Sequence, residues 1–371
     1  MSSYHVVMKR KIIIAFILGF SAIVSFAQPK FASKVGKGIF SVNTYDKQGN
    51  LLHQGVGFYV GQKGEAIADY RVFKGAFRAS VIEADGKKAD VEYVLGADDT
   101  YSLVRFRVST KGNVALLSAT SNRPMKSGVF VLRRTDAGAM ESVQAIVADT
   151  AMIKGQYVYY GLDKRVDEKW LGSPVFDESG TLVGILHSQI GDKSYVLDVR
   201  FKDELKIKAI PDQSASVALG NIFLPQALPD VQEEALIYMY LKARTASNEE
   251  YMDMVNRYIA TYPQSAEGYL RRAAPLIDLT RFDEADKDLQ QYLSLVEDKA
   301  TGNYNVGSLI FDKLRMQPEP AYEKWNMDLV LQYVDNAHLS QCCPICQRQS
   351  EGRCDEVSGA EGSDADVQEG L

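Results

Sequence analysis

At 371 residues, with 46% hydrophobic and 24% charged residues, the chain has room for two domains and the composition of folded protein, which excludes a fibrous or wholly disordered polypeptide. Its formal charge of −6 argues against a nucleic-acid partner. Its four cysteines, Cys342, Cys343, Cys346 and Cys354, all lie near the C-terminus, so the body of the chain relies on no disulfide.

The first element is a targeting segment. Lys9-Arg10-Lys11 precedes an uncharged apolar run from Ile12 to Val24, and Ser25-Phe26-Ala27 places small residues where a signal peptidase reads them. Residues 1–27 therefore read as a signal peptide cut after Ala27, with Met8 as a possible true start. The run is short for a membrane span, which takes about 20 residues, and an uncleaved anchor is the alternative. Losing three cations takes the mature chain from −6 to −9.

Alternating apolar residues then predict strands at Gly38–Tyr45, at Gly55–Val60 and at Ala66–Ala68, with Gln62-Lys63-Gly64 as the turn between the last two. Further strands are expected at Ala79–Ile82, Ala89–Leu95 and Leu103–Phe106. A second set starts near Val114–Leu117 and continues through Gly128–Leu132, Ser142–Val147, Tyr157–Tyr160, Pro174–Phe176 and Leu182–Leu186. Short strands at regular spacing, with no helix-length connections, favour β-barrels over parallel βαβ units.

Three stretches carry a family resemblance: Gly57-Phe58 with Gly64, Val72 and Gly75-Ala76; Asp98–Phe106; and Trp170-Leu171-Gly172-Ser173-Pro174 followed by Val183-Gly184-Ile185. They resemble the trypsin-like proteases of exported bacterial type (HtrA-like). The resemblance implies a double β-barrel over residues 28–206, and it puts Arg71, Ser102 and Leu171 at the places of the catalytic His, Asp and Ser, with Trp170 and Lys169 before the last. A serine protease needs a hydroxyl, a base, an orienting carboxylate and two backbone N–H groups for the oxyanion. Arginine stays protonated and cannot be the base, leucine has no nucleophilic atom, and Lys169 replaces a glycine that helps shape the oxyanion site. Ser173, two positions beyond Leu171, is the remaining nucleophile candidate; beside Pro174 it reads as a small turn residue. His53 and His187 read as strand residues.

From 207 to 229 the alternation fades among Pro211, Pro225 and Pro229, a linker. Beyond it the period becomes helical. Ser247-Asn248-Glu249-Glu250 is a capping box, and Tyr251, Met254, Val255, Tyr258 and Ile259 share one face. Tyr269, Ala273, Leu276, Phe282, Ala285, Leu289 and Tyr292 fall at tetratricopeptide spacings, so residues 230–338 are expected to form three tetratricopeptide-like helix pairs, with Pro275 kinking one helix. Arg271 and Arg272 stand beside packing positions, as candidates for contact with an acidic partner or as a solvated face.

Residues 339–371 read as an acidic, disordered tail with the four cysteines; zinc binding by the C-x-x-C, and a non-native or out-of-frame terminus, are the alternatives. The expected architecture is β followed by α, a trypsin-like double β-barrel and then a helical array. The expected function is that of an exported, periplasmic or secreted pseudoprotease that binds a protein or peptide, without cofactor or metal. An active serine endopeptidase with non-standard catalytic residues, and a chaperone-like cleft that holds extended peptide, are the alternatives.

Overall fold

The computed structural model describes residues 28–110, 115–135 and 138–341. The signal-peptide expectation at 1–27 and the cysteine-containing segment from Cys342 onward lie outside the described residues. The chain divides into two compact units between Tyr238 and Met239.

The first unit opens with a short helix, α1 (Ala32–Val35), and then forms two closed barrels. The first contains β1 (Ile39–Tyr45), β2 (Leu51–Tyr59), β3 (Glu65–Asp69), β4 (Arg78–Ile82), β5 (Lys88–Asp98) and β6 (Leu103–Val108), joined in the order β1-β2-β3-β6-β5-β4. The second contains β7 (Gly128–Arg134), β8 (Met140–Ile153), β9 (Tyr157–Leu162), β10 (Pro174–Asp177), β11 (Leu182–Ile190) and β12 (Lys193–Asp198), in the order β7-β8-β9-β12-β11-β10. Shifting every number by six superimposes one order on the other, so the two barrels share one topology. A one-turn helix, α2 (Tyr70–Phe73), follows β3.

Alternation fixes the register because each strand turns one row of side chains inward. Gly57 lies between Phe40 on β1 and Ala68 on β3, and a Cβ there would come within 2.5 Å of the Phe40 ring. Only glycine lets the aromatic core of Phe40, Tyr59, Phe73 and Phe106 close. The expected turn at Gln62–Gly64 forms with left-handed Lys63 and Gly64.

A second cluster joins the barrels. Val56, Phe58, Ile67 and Leu103 of the first pack with Leu132, Phe176, Ile185 and Leu197 of the second, and Phe201 lies against Tyr101 and Tyr157. This shared core holds the facing walls of the two barrels at fixed separation.

Of the strand expected near Val114–Leu117, the described residues 115–117 form no barrel strand. Among the described residues there, Leu117 and Ser118 lie alongside Leu182 as an isolated bridge, and the second barrel begins at Gly128. Nor is 207–229 a free connection. It contains α3 (Gln213–Gly220), capped by Asp212, and runs back along the first barrel: Phe223 N–H bonds Ala76 O, Val94 exchanges hydrogen bonds with Pro225 and Ala227, and Phe223 stacks on Phe77. Ile207, Ala218, Leu219, Ile222 and Leu224 are buried. Their spacing has no single period, which is why the sequence reads as a linker.

The unit division falls within α4 (Gln232–Lys242). In the second unit α5 (Asn248–Thr261) starts at Ser247 with both capping-box hydrogen bonds and packs on α6 (Ala266–Asp278). Helices α6 and α7 (Phe282–Leu295) form one hairpin, and α8 (Lys299–Met316) and α9 (Met327–Gln341) form another. Of the residues at tetratricopeptide spacing, Ala273, Leu276, Phe282, Ala285, Leu289 and Tyr292 are buried in their common core with Val306, Ile310 and Trp325, and Tyr269 packs against it half-buried. Helix α6 continues through Pro275 to Asp278. No helix among the described residues is long and apolar enough to cross a membrane.

Candidate functional site

The cleft between the barrels gathers the three positions that the family resemblance singles out, and their meeting point is Asp69, a residue the sequence reading passed over. Asp69 ends β3 and caps α2, its Oδ1 accepting the Arg71 N–H at 2.8 Å. The same carboxylate accepts Arg71 Nε at 2.9 Å and pairs with Arg71 Nη2 through its other oxygen. Ser102 Oγ donates to it at 3.1 Å, and Ser102 O accepts the Tyr70 N–H at 2.9 Å. Asp69 is buried. The pairing with Asp69 raises the Arg71 pKa above an already high value, so the guanidinium stays charged.

The Leu171 side of the cleft is built by a one-turn 3-10 helix, Glu168–Trp170, which Asp167 caps. Hydrogen bonds within this turn and to β11 consume every backbone N–H from 169 to 173. Lys169 N–H goes to Asp167 Oδ1 (3.0 Å), Trp170 N–H to Asp167 O (3.0 Å), Leu171 N–H to Glu168 O (3.0 Å), Gly172 N–H to Leu186 O (2.8 Å) and Ser173 N–H to Trp170 O (3.0 Å). No pair of these donors points into the cleft for an oxyanion. Gly172, at φ +82°, turns the chain past Asp69, and a Cβ on it would lie 3.4 Å from that of Asp69.

Ser173 is fully buried, and its hydroxyl has no hydrogen-bond partner among the described residues. His187 is close by in sequence but serves other contacts. Its Nδ1 shares a 2.6 Å hydrogen bond with the Tyr159 hydroxyl, and its Nε2 is buried beside the Tyr101 backbone without good hydrogen-bond geometry. Burial, the main cause, holds its pKa below 6.5, with the Arg71 charge acting in the same direction. No hydrogen bond joins Ser173 to His187. His53 lines the cleft on β2.

Asp69-Tyr70-Arg71 has a counterpart in the second barrel. Asp198 ends β12, accepts Arg200 N–H at 2.9 Å and Nε at 3.0 Å, and pairs with Arg200 Nη2, a clamp of the same form on a strand that is not the topological equivalent of β3. Asp-x-Arg triplets at strand ends were legible, but a third, Asp163-Lys164-Arg165 after β9, makes no such clamp, since Asp163 accepts the Ile146 N–H and Arg165 donates to Gly191 O.

In the helical unit, Arg271 and Arg272 part ways. Arg272 turns inward to buried Asp288 through Nε (2.7 Å) and Nη2 (2.8 Å), with Nη1 on Asn256 (2.9 Å). Arg271 lies 3.2 Å from Glu267 Oε2 as an ion pair, without hydrogen-bond geometry at its Nε, and lines a groove with Tyr251, Leu270, Asn305 and Asp312. Among the described residues no group of three His, Cys, Asp or Glu is placed to hold a metal.

Two closed barrels of one topology, followed by a helical region, define the class of fold: a trypsin-like double β-barrel with a C-terminal α-helical array. No family model matches the chain. It is similar to the anti-sigma-I factor RsgI9 of Acetivibrio thermocellus, 26% identical over 165 residues, a match covering 43% of this chain and 23% of that protein. The chain thus spans about a quarter of that relative's length. Among solved structures it is similar to the active form of the Rv3671c protease from M. tuberculosis, with a TM-score of 0.42, 14% identity, and coverage of 55% of this chain and 88% of that one. For the inactive form of the same protease the TM-score is 0.41 and the identity 15%, with coverage of 49% and 93%.

Proposed function

We propose that this chain is an exported, non-catalytic member of the trypsin-like fold, a pseudoprotease that binds protein or peptide and presents a tetratricopeptide-like helical domain to a partner. The observation that carries this reading is the clamp of Arg71 on Asp69. The place of a catalytic base is held by a permanently charged guanidinium, and the carboxylate beside it is already committed. The backbone supports the same conclusion, because the N–H groups around Leu171 are all bound internally. A buried, unpartnered Ser173 hydroxyl with no base in contact does not become a nucleophile. The relative's name describes an action against a sigma factor rather than hydrolysis, which is in keeping with a binding role for this chain. Arg271, in the groove lined by α6 and α8, is the residue of the helical unit placed to meet a partner's carboxylate. Export rests on Lys9 to Ala27, and N-terminal sequencing of the protein from cells would find Gln28 first.

The test is chemical. The protein is expected not to hydrolyse casein and not to react with a fluorophosphonate. Labelling that disappears in Ser173→Ala would overturn the proposal and restore an active endopeptidase.

A further inference from the structure

A cavity of about 480 Å3 opens where Arg71, Val56 and Leu171 face one another, and its charge runs against that of the protein. The whole chain carries −6. The cavity is lined by Arg71, Arg133, Arg134 and Lys169, against Asp69 and Glu168. Asp69 is taken by Arg71, so Glu168 alone faces the three other cations. Arg134 is fixed by backbone carbonyls, Nε on Ile39 O, Nη1 on Gly138 O and Nη2 on Gly36 O, and burial lowers its pKa with no carboxylate to offset the cost. The side chains of Arg133 and Lys169 have no hydrogen-bond or ion-pair partner among the described residues.

A protein rarely concentrates unpaired cations in a concave site without an anion to receive, because their mutual repulsion is unfavourable until one arrives. Low-dielectric walls also focus the field into the cleft. Val56, Val72 and Leu171 lie among these charges, so the cavity offers apolar surface to aliphatic stems as well as donors to a charged head. That combination fits a peptide better than a free inorganic ion.

We propose that the cleft takes a peptide segment bearing acidic side chains, whose carboxylates are received by Arg133 and Lys169 beside the fixed Arg71–Asp69 pair. The proposal rests on the binding reading given above and adds the chemistry of the ligand. Arg133 supplies the planar fork that suits a carboxylate, and Lys169 supplies a mobile point charge.

The test is fluorescence anisotropy of the full chain with a short fluorescein-labelled peptide of alternating Glu and Gly, compared with its Gln and Lys counterparts. Arg133→Gln/Lys169→Gln is run alongside, with Lys47→Gln, an exposed lysine of the β1–β2 turn outside the cavity lining, as the charge control. The acidic peptide is expected to bind about tenfold or more tightly than the Gln peptide, to weaken with salt, and to lose about tenfold in the double variant but not in Lys47→Gln. Thermal melts check folding; neither side chain has a partner to lose, and if the double variant melts early the single Lys169→Gln takes its place. Equal binding of the Glu and Gln peptides, or an unchanged double variant, would overturn the charge assignment and leave the binding module standing. Inorganic phosphate binding where no peptide does would overturn the peptide ligand instead. Fluorophosphonate labelling, by contrast, would remove the non-catalytic reading itself.

Discussion

Arg71 and Arg200 make clamps of the same form, yet water reaches them differently. The Arg71 side chain is 53% exposed and that of Arg200 28%, while their carboxylates are 8% and 2% exposed. Solvent screens the first pair more strongly. Asp69→Asn is therefore expected to cost about 1 kcal/mol, the scale of a lost helix cap, and Asp198→Asn on the order of 3 kcal/mol, the scale of breaking a buried pair. Urea midpoints rank the two, and the reverse order would mean that the cleft pair is the stronger one. His187 supplies a pH dependence. Burial and Arg71 depress its pKa below 6.5, with Asp69 and Asp98 opposing, so near pH 6.5 the unfolded chain gains a proton that the folded chain refuses. Its contribution is fully present above pH 6.5 and is lost as pH falls from there through the folded value. The variant His187→Gln should lose less stability than the parent between pH 7.5 and pH 5.5 in urea titrations; parallel losses would remove His187 as the cause.

At the scale of elements, adjacent arginines on α6 have different fates because a helix turns about 100° per residue. Arg272 faces α7 and Asp288, and Arg271 faces the groove with α8. Arg272→Ala leaves Asp288 buried without its partner and is expected to destabilise the helical unit by on the order of 3 kcal/mol, whereas Arg271→Ala should stay within about 0.5 kcal/mol because its pairing with Glu267 is solvent-screened. Circular-dichroism melts read both, and a large loss for Arg271→Ala would make it structural too. These helices were legible because caps and a 3.6-residue period are local signals, as the capping box at Ser247 shows. Which arginine would find Asp288 was not legible, because the acid is sixteen residues away on another helix.

For the molecule as a whole, the segment 207–229 decides how far the first barrel reaches along the chain. Within it Ile222 is buried at 3% exposure, with Phe223 stacked on Phe77. Ile222→Ala is expected to lower stability by about 2–4 kcal/mol, as for other buried aliphatic truncations, whereas a free linker would give a change near zero in chemical denaturation. By itself the sequence determined the six strands of the first barrel and five of the second, their glycine turns and the switch to helical period, while it passed over β12 and placed a strand near Val114–Leu117. The features it determined are written in alternation, turn residues and short motifs, where each signal lies within a few neighbours. The tertiary structure alone decided that Asp69 would hold Arg71 and Ser102 together, that residues 207–229 would return to Val94, and that Arg133 on β7 would share a cavity with Lys169. Those pairings join residues distant along the chain, and they exist only once barrel closure and the shared apolar core have fixed the facing walls of the cleft.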